Sequence, residues 1–277
     1  MSLKSNPTFI NDDFLLNTNA AQKLYHEYAK DLPIIDYHNH LPPEDIASNR
    51  QFNNVTEVWL AGDHYKWRAM RTLGISEKYI TGNAPDEEKF QKWAETVKYT
   101  VRNPLHHWTH LELQRYFGIS DLLSKDNAKR IYKETSRQLQ QESHSTIGLL
   151  QQQKVELVCT TEDPLDDLKH HKNFKKQSTA LTMTTAFRPD KAFAVENTKT
   201  FLSYLESLEQ ITNGSIKTFG DYLESLNSRI AYFHENGCRL SDHGLEYLPY
   251  YETGAHNIDQ IFTIQPLREY LTKQKGN

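Results

Sequence analysis

Cysteine is scarce in this chain: 277 residues hold only Cys159 and Cys238. Neither belongs to a CxxC pair, which argues against a disulfide-stapled scaffold or a thiolate zinc site. Each thiol sits in an apolar run that reads as buried strand. Long apolar runs are missing as well. No segment nears the ~18 apolar residues of a membrane span, and the opening MSLKSNPTF has no signal-peptide core. A protein of the reducing cytoplasm, without a membrane partner, is the expectation. Nor does one sign of charge dominate. Lys and Arg number 32 against 36 Asp and Glu, giving a net −4 with both signs scattered, so no nucleic-acid footprint is present. Internal repeats, low-complexity stretches and obvious linkers are also lacking.

Aromatic residues are plentiful. The hydrophobic fraction is only 37%, but 15 Tyr, 12 Phe and 4 Trp supply the large apolar surfaces a core needs, and the length suits one large α/β domain or two modest ones, one being the simpler expectation. Residues 19 to 30 show helical spacing behind a cap expected at Asn19, and Pro33 ends that helix before a strand at 34 to 37. From 42 to 152 the pattern is helical almost throughout, with Gly74, Gly82 and Gly118 at expected helix ends. Three compact strands follow, at 155 to 160, 182 to 187 and 238 to 241, with helices expected at 198 to 212 and 218 to 235. A helical tail is expected at 251 to 277. Strands that end in polar clusters and lead into helices are the mark of βα units in a parallel sheet, as in barrel enzymes. Four strands are half the number that closes a barrel.

The stretch IIDYHNHLPP delivers His38 and His40 to the end of the first strand. One residue apart on extended backbone, they project to the same side and could share a divalent ion such as Zn, Mn, Fe or Ni. Asp36, one pleat below, could orient a histidine. The competing reading is a chance pair at an exposed strand end. In GDHYKWRAMR, His64 and Arg68 fall on one helix face, with Tyr65 about a third of a turn away. That helix start is a plausible holder of an acidic sugar or phosphate. An amphipathic helix with Trp67 and Met70 inward explains the same residues. Arg188 in AFRPDK ends a core strand and suits a carboxylate, either a ligand's or that of Asp190. In LHHWTH the histidines His106 and His110 lack the glutamate of a zinc helix and read as a packing face. His170 and His171 read as a solvated helix end. Asp242 and His243 end a strand on the presumed active face.

Taken together, DYHNHLPPEDIASNRQFNNVTEVWLAGDHYKWRAMRTLGI, KFQKWAETV, RNPLHHWTHLELQRYFGI, TTEDP and AFRPDK closely resemble the uronate (glucuronate) isomerases of the amidohydrolase superfamily over residues 10 to 250. That resemblance implies a distorted (β/α)8 barrel of TIM type. Here the barrel would be incomplete, a single 1–277 domain with a helical insertion at 42–152, βα units at 153–250 and the tail beyond. It implies a metal-assisted aldose–ketose isomerase that turns D-glucuronate and D-galacturonate into fructuronate and tagaturonate, and it leaves room for a homo-oligomer. By position it makes His38 and His40 the metal pair, His64 and Tyr65 the proton-transfer pair, and Arg188, with Arg68, the substrate-binding arginines. Tyr65, with an ordinary pKa near ~10, is a poor base unless nearby charge lowers it, whereas His64 is tuned to neutral pH. The family's later strands add a metal-ligating Asp, an Arg and a further His, which Asp242, His243, Glu162 or a second subunit would have to replace. The other expectation is therefore a catalytically silent remnant that binds a metal or a sugar acid.

Overall fold

A computed structural model describes residues 9–177 and 179–245. The helical tail expected after 250 lies outside them. In chain order, α1 (Asn19–Leu24) runs through a π turn (Tyr25–Ala29) towards β1 (Ile34–Asp36). The stretch up to the second strand is filled by α2 (Pro43–Ala47), α3 (Val55–Leu60), α4 (His64–Thr72), α5 (Asp86–Val97), α6 (Pro104–Phe117), α7 (Ala128–Gln138) and α8 (Thr146–Gln152). Then come β2 (Val155–Glu162), α9 (Lys169–Phe174), β3 (Thr182–Phe187), α10 (Thr198–Thr212), α11 (Phe219–Glu235) and β4 (Leu240–Ser241). The chain divides into two compact units, bounded by Met1–Ile34 with Ser48–Val155 and by Ile35–Ala47 with Glu156–Asn277.

The first unit is helical because its apolar residues repeat at helix spacing. On α5, Phe90, Trp93, Ala94 and Val97 form one fully buried stripe, the i, i+3, i+4, i+7 pattern of a core face. Val55, Trp59 and Leu60 of α3, Leu113 of α6 and Ile131 of α7 close over it. Fully burying a large side chain contributes about 1.5–3 kcal/mol, so this stripe is the unit's main source of cohesion. The caps are local. Thr18, not Asn19, caps α1, because its hydroxyl reaches the Ala21 N–H. Asn54 caps α3, and Asn103 with Pro104 opens α6. Gly118 stops α6 at φ 66°, a left-handed position that suits glycine. Gly82 ends no α-helix: its role is close approach, since a Cβ there would meet the Lys78 Cα at 2.7 Å.

The histidines of LHHWTH are structural, as the packing-face reading has it. Buried His106 points Nδ1 at the Val97 carbonyl, 3.1 Å away. His110 joins two segments: Nδ1–H donates to the His106 carbonyl at 2.7 Å, and Nε2 accepts the Leu123 N–H at 3.0 Å. Burial holds this imidazole down to a pKa of about 4.

The second unit carries the sheet, whose strands lie in the order β1-β2-β3-β4. Pairing of β2 with β3 and of β3 with β4 is parallel. The helices α9 to α11 occur between successive strands, the open βα arrangement expected of an incomplete (β/α)8 barrel. β2 continues to Glu162, and β4 is shorter than 238 to 241 suggested, with Cys238 buried ahead of it. Cys159 is buried too, and burial pushes its thiol up to about 12, so it behaves as a small core residue. α11 anchors the unit through Phe233, edge-on to Phe187, and through buried Arg229, which donates to the Pro164 and Asp166 carbonyls. No helix among the described residues is long and apolar enough to cross a membrane.

His171 corrects the solvated-end reading. It is buried against β2, with Nε2 2.8 Å from the Thr160 hydroxyl. Thr160 and Thr185 both donate to the Glu162 carboxylate, so the polar end of the strand forms a buried cluster. Burial pushes Glu162 up and His171 down to about 4.

The His110 geometry makes a pH prediction. Its folded pKa lies below the ordinary 6.5, so its stabilisation is complete above pH 6.5 and is lost as pH falls towards 4. Denaturant unfolding should show stability falling by on the order of 2 kcal/mol over that interval through this residue. His110→Gln, which retains a donor and an acceptor, should flatten that part of the curve. An unchanged slope would remove His110 from the account.

Candidate functional site

Register places the candidate residues of the sheet unit. Glu162 pairs with Phe187, and Phe187 with Ser241, so the three strands end level. The next residue of each of the last two strands continues the ladder, with Arg188 N–H donating to the Glu162 carbonyl and Asp242 N–H to the Phe187 carbonyl. Arg188 and Asp242 are thereby side by side, although 54 residues separate them. Sequence reading could not pair them without this register.

His38 and His40 lie just beyond the end of β1, and their rings meet at 4.8 Å between centroids, nearly perpendicular. Their Nε2 atoms are 3.1 Å apart. Two nitrogens bound to one ion at about 2.0–2.1 Å stand about 2.9 Å apart at a right angle and about 3.3 Å apart at the tetrahedral angle. The observed spacing falls between, so the pair fits one divalent cation. Thr161 fixes one tautomer. Its hydroxyl proton goes to the Asn39 carbonyl at 3.1 Å, so its oxygen accepts from His40 Nδ1 at 3.0 Å, which puts the lone pair of His40 on Nε2, towards His38.

The role expected of Asp36 is not realised. Extended alternation ends at Asp36, and Asn39 folds back so that its amide donates to the Asp36 carboxylate at 2.6 Å. The same Asn39 oxygen accepts the Leu41 N–H, pinning the turn between the two histidines. The carboxylate nearest His38 is Asp242, with Oδ2 3.6 Å from Nδ1. Asp242 is thus on the ring edge away from the converging Nε2 atoms. Among the described residues, no group of three His, Cys, Asp or Glu could hold a metal ion. Glu162 is taken up by Thr160 and Thr185, and His243 packs against Phe193.

Arg188 sits between two carboxylates. Nε donates to Asp190 Oδ2 at 2.9 Å and Nη1 to Asp242 Oδ2 at 3.2 Å, and the Asp190 contact holds the guanidinium further into its charged range. The internal ion pair weighed for AFRPDK is therefore present, enlarged by Asp242. A Cβ at position 244 would come within 3.1 Å of Nη2, so Gly244 leaves that nitrogen room. An apolar hollow of the same unit, lined by Ile35, Leu157, Cys159, Thr184 and Leu240, contains none of the candidate residues.

His64, Tyr65 and Arg68 belong to α4 in the helical unit. The His64 and Tyr65 rings lie 4.3 Å apart, and the Arg68 guanidinium lies over the Tyr65 ring at 5.5 Å. Arg68 thus meets Tyr65, three residues earlier, and both line a groove with Tyr99, Asn103 and Trp108. The helix N-terminus, expected to suit an anion, already has one: the Asp63 carboxylate accepts the Tyr65 and Lys66 N–H groups. Its other oxygen takes the Lys66 ammonium at 2.7 Å, and that buried ammonium faces Trp59 and Trp93. Burial works to raise the Asp63 carboxyl, but the Lys66 contacts outweigh it and hold the carboxyl below its ordinary value.

The glucuronate isomerase family profile matches residues 7–276. A uronate isomerase of Flavobacterium johnsoniae is 52% identical over 269 residues, covering 97% of this chain and 57% of the relative. One of Cellvibrio japonicus is 56% identical over 241 residues, covering 86% and 51%. The crystal structure of uronate isomerase from Thermotoga maritima superposes with a TM-score of 0.80 at 38% identity, over 85% of this chain and 51% of that one. The chain spans little more than half the length of the curated relatives it matches.

Removing the α4 cap should expose the cost of a stranded charge. Asp63→Ala is expected to destabilise the chain by about 3 kcal/mol, because Lys66 is left buried without its hydrogen-bonded anion. Adding Lys66→Met should recover part of the loss in denaturant unfolding. No recovery in the double variant would show that the ion pair is not the reason.

Proposed function

Because the chain belongs to the glucuronate isomerase family, we propose that it interconverts D-glucuronate or D-galacturonate with the corresponding keto-acids, fructuronate and tagaturonate. The observation that carries this reading is the meeting of His38 and His40 at Nε2, 3.1 Å apart at the end of the first strand. The reaction moves a proton between C2 and C1 of the open-chain sugar acid through an enediol, so it needs an acid–base group and a means of steadying oxyanion charge. A divalent cation held by His38 and His40 would supply the second as a Lewis acid.

The protein groups do the rest. Arg188, already aligned by Asp190 and Asp242, offers its planar fork to the substrate's C6 carboxylate and sets the sugar's direction. His64 and Tyr65 are assigned the proton transfer, as a pair with rings in tilted contact whose division of labour is left open. Arg68, over the Tyr65 ring, lends positive charge that would help hold the acid sugar. Two free buried thiols suit a reducing cytoplasm for such a metabolic enzyme. A second reading, binding without turnover, is favoured by one observation: no third ligand joins the two histidines among the described residues.

A coupled assay with glucuronate and each of Zn, Mn, Fe and Ni separates these readings. Ketose above background supports turnover; none with any metal, while metal is still retained, supports the binding remnant. His38→Ala and His40→Ala should each abolish metal retention in elemental analysis, and unchanged occupancy would move the site elsewhere. Arg188→Met should keep the metal and raise the uronate KM by at least about tenfold, the loss of a charge-assisted hydrogen bond. An unaltered KM would contradict its carboxylate role.

A further inference from the structure

Asp242 is tied to both halves of the proposed site. Its Oδ2 is 3.2 Å from Arg188 Nη1 and 3.6 Å from His38 Nδ1. Its Oδ1 is buried and has no hydrogen-bond partner among the described residues. The oxygen that faces His38 is the other one, Oδ2, and the two histidines show what proton it would take. Thr161 already fixes the His40 proton on Nδ1, which leaves its Nε2 lone pair facing His38 Nε2. At 3.1 Å the second Nε2 must carry the proton, or the two lone pairs would oppose each other. A cation between them needs both lone pairs. His38 can release its own only by carrying its proton on Nδ1, and Nδ1 faces Asp242.

We propose that Asp242 is a positioning residue that accepts the Nδ1 proton of His38, holding that ring in its cation-binding tautomer while its other contact aligns Arg188. The proposal rests on the reading of His38 and His40 as a cation site, and it assigns the carboxylate–histidine pairing that commonly orients metal-binding imidazoles to a residue 204 positions away in the chain. It follows that Asp242 does not contact the cation. It also follows that cation affinity and the placing of the sugar-acid arginine share one carboxylate, so a change at 242 is felt at both. At 3.6 Å the His38 contact is slightly longer than a hydrogen bond, and a cation on Nε2 would make Nδ1–H a stronger donor towards Asp242.

The test measures Zn(II) affinity of the whole chain by competition with a chromophoric chelator in the wild type and three variants. Asp242→Asn should weaken Zn(II) binding by about 10- to 100-fold, the usual effect of losing such a partner. Asp190→Asn, which removes the shorter contact of Arg188, should change it less than about twofold, whereas a merely structural role for the arginine cluster would weaken both alike. His38→Ala should lose the ion. Affinity unchanged in Asp242→Asn but lost in His38→Ala overturns the role of Asp242 and leaves the cation site standing. Affinity unchanged in His38→Ala overturns the cation site itself. Should Asp242→Asn fail to fold, ¹⁵N-histidine NMR of the Zn(II)-loaded wild type decides. His38 ligated through Nε2 with a strongly downfield Nδ1 proton supports the proposal, and ligation through Nδ1 overturns it.

Discussion

Parallel pairing at a fixed register is the constraint from which the placing of the sheet unit's candidate residues follows. With Glu162, Phe187 and Ser241 level, the residues that follow them are level too. Arg188 meets Asp242, and Thr161 stands against the turn that carries the two histidines. A slip of one residue would reverse every side chain on the shifted strand and turn Arg188 to the opposite face. The buried cluster of Thr160, Thr185, Glu162 and His171 lies at those same strand ends and ties β2 to β3 by side chains as well as by backbone. A slip would leave the buried Glu162 carboxylate without the Thr185 hydroxyl, which helps specify one register over its neighbours.

The helical unit applies the same logic to α4. His64 and Tyr65 form the first turn of a helix whose start is set by Asp63, and Asp63 is set by a lysine held among tryptophans. The residues to which proton transfer is assigned therefore lie on a helix fixed by core packing, not on a free loop. Arg68 and Tyr65 are brought together by helix geometry alone.

Much of this was legible in the sequence because it is periodic. The strand at 182 to 187 and the helix at 198 to 212 were readable to the residue, and the stripe on α5 announces a core. The pair His38 and His40 was legible from spacing, and the family from several blocks together. What escaped depends on contacts that spacing does not encode. Asp36 was assigned to a histidine because alternation was extrapolated past the strand's end, where Asn39 folds back instead. His171 was read as solvated because its neighbours Lys169, His170 and Lys172 are polar, yet one turn of α9 faces the sheet. Asp242 could be marked as a strand-end carboxylate but not joined to His38 and Arg188, since only the sheet register does that. Thr161 offered no signal beyond its place in a strand-end TTE.

The claim on which the functional account stands is that two imidazole nitrogens grip one cation. Crystals of the chain soaked in Zn(II) and measured at the zinc edge address it directly. An anomalous peak at about 2.0–2.1 Å from Nε2 of both His38 and His40 is the predicted result. An ion bound elsewhere, or the two rings turned apart with no ion between them, would contradict it.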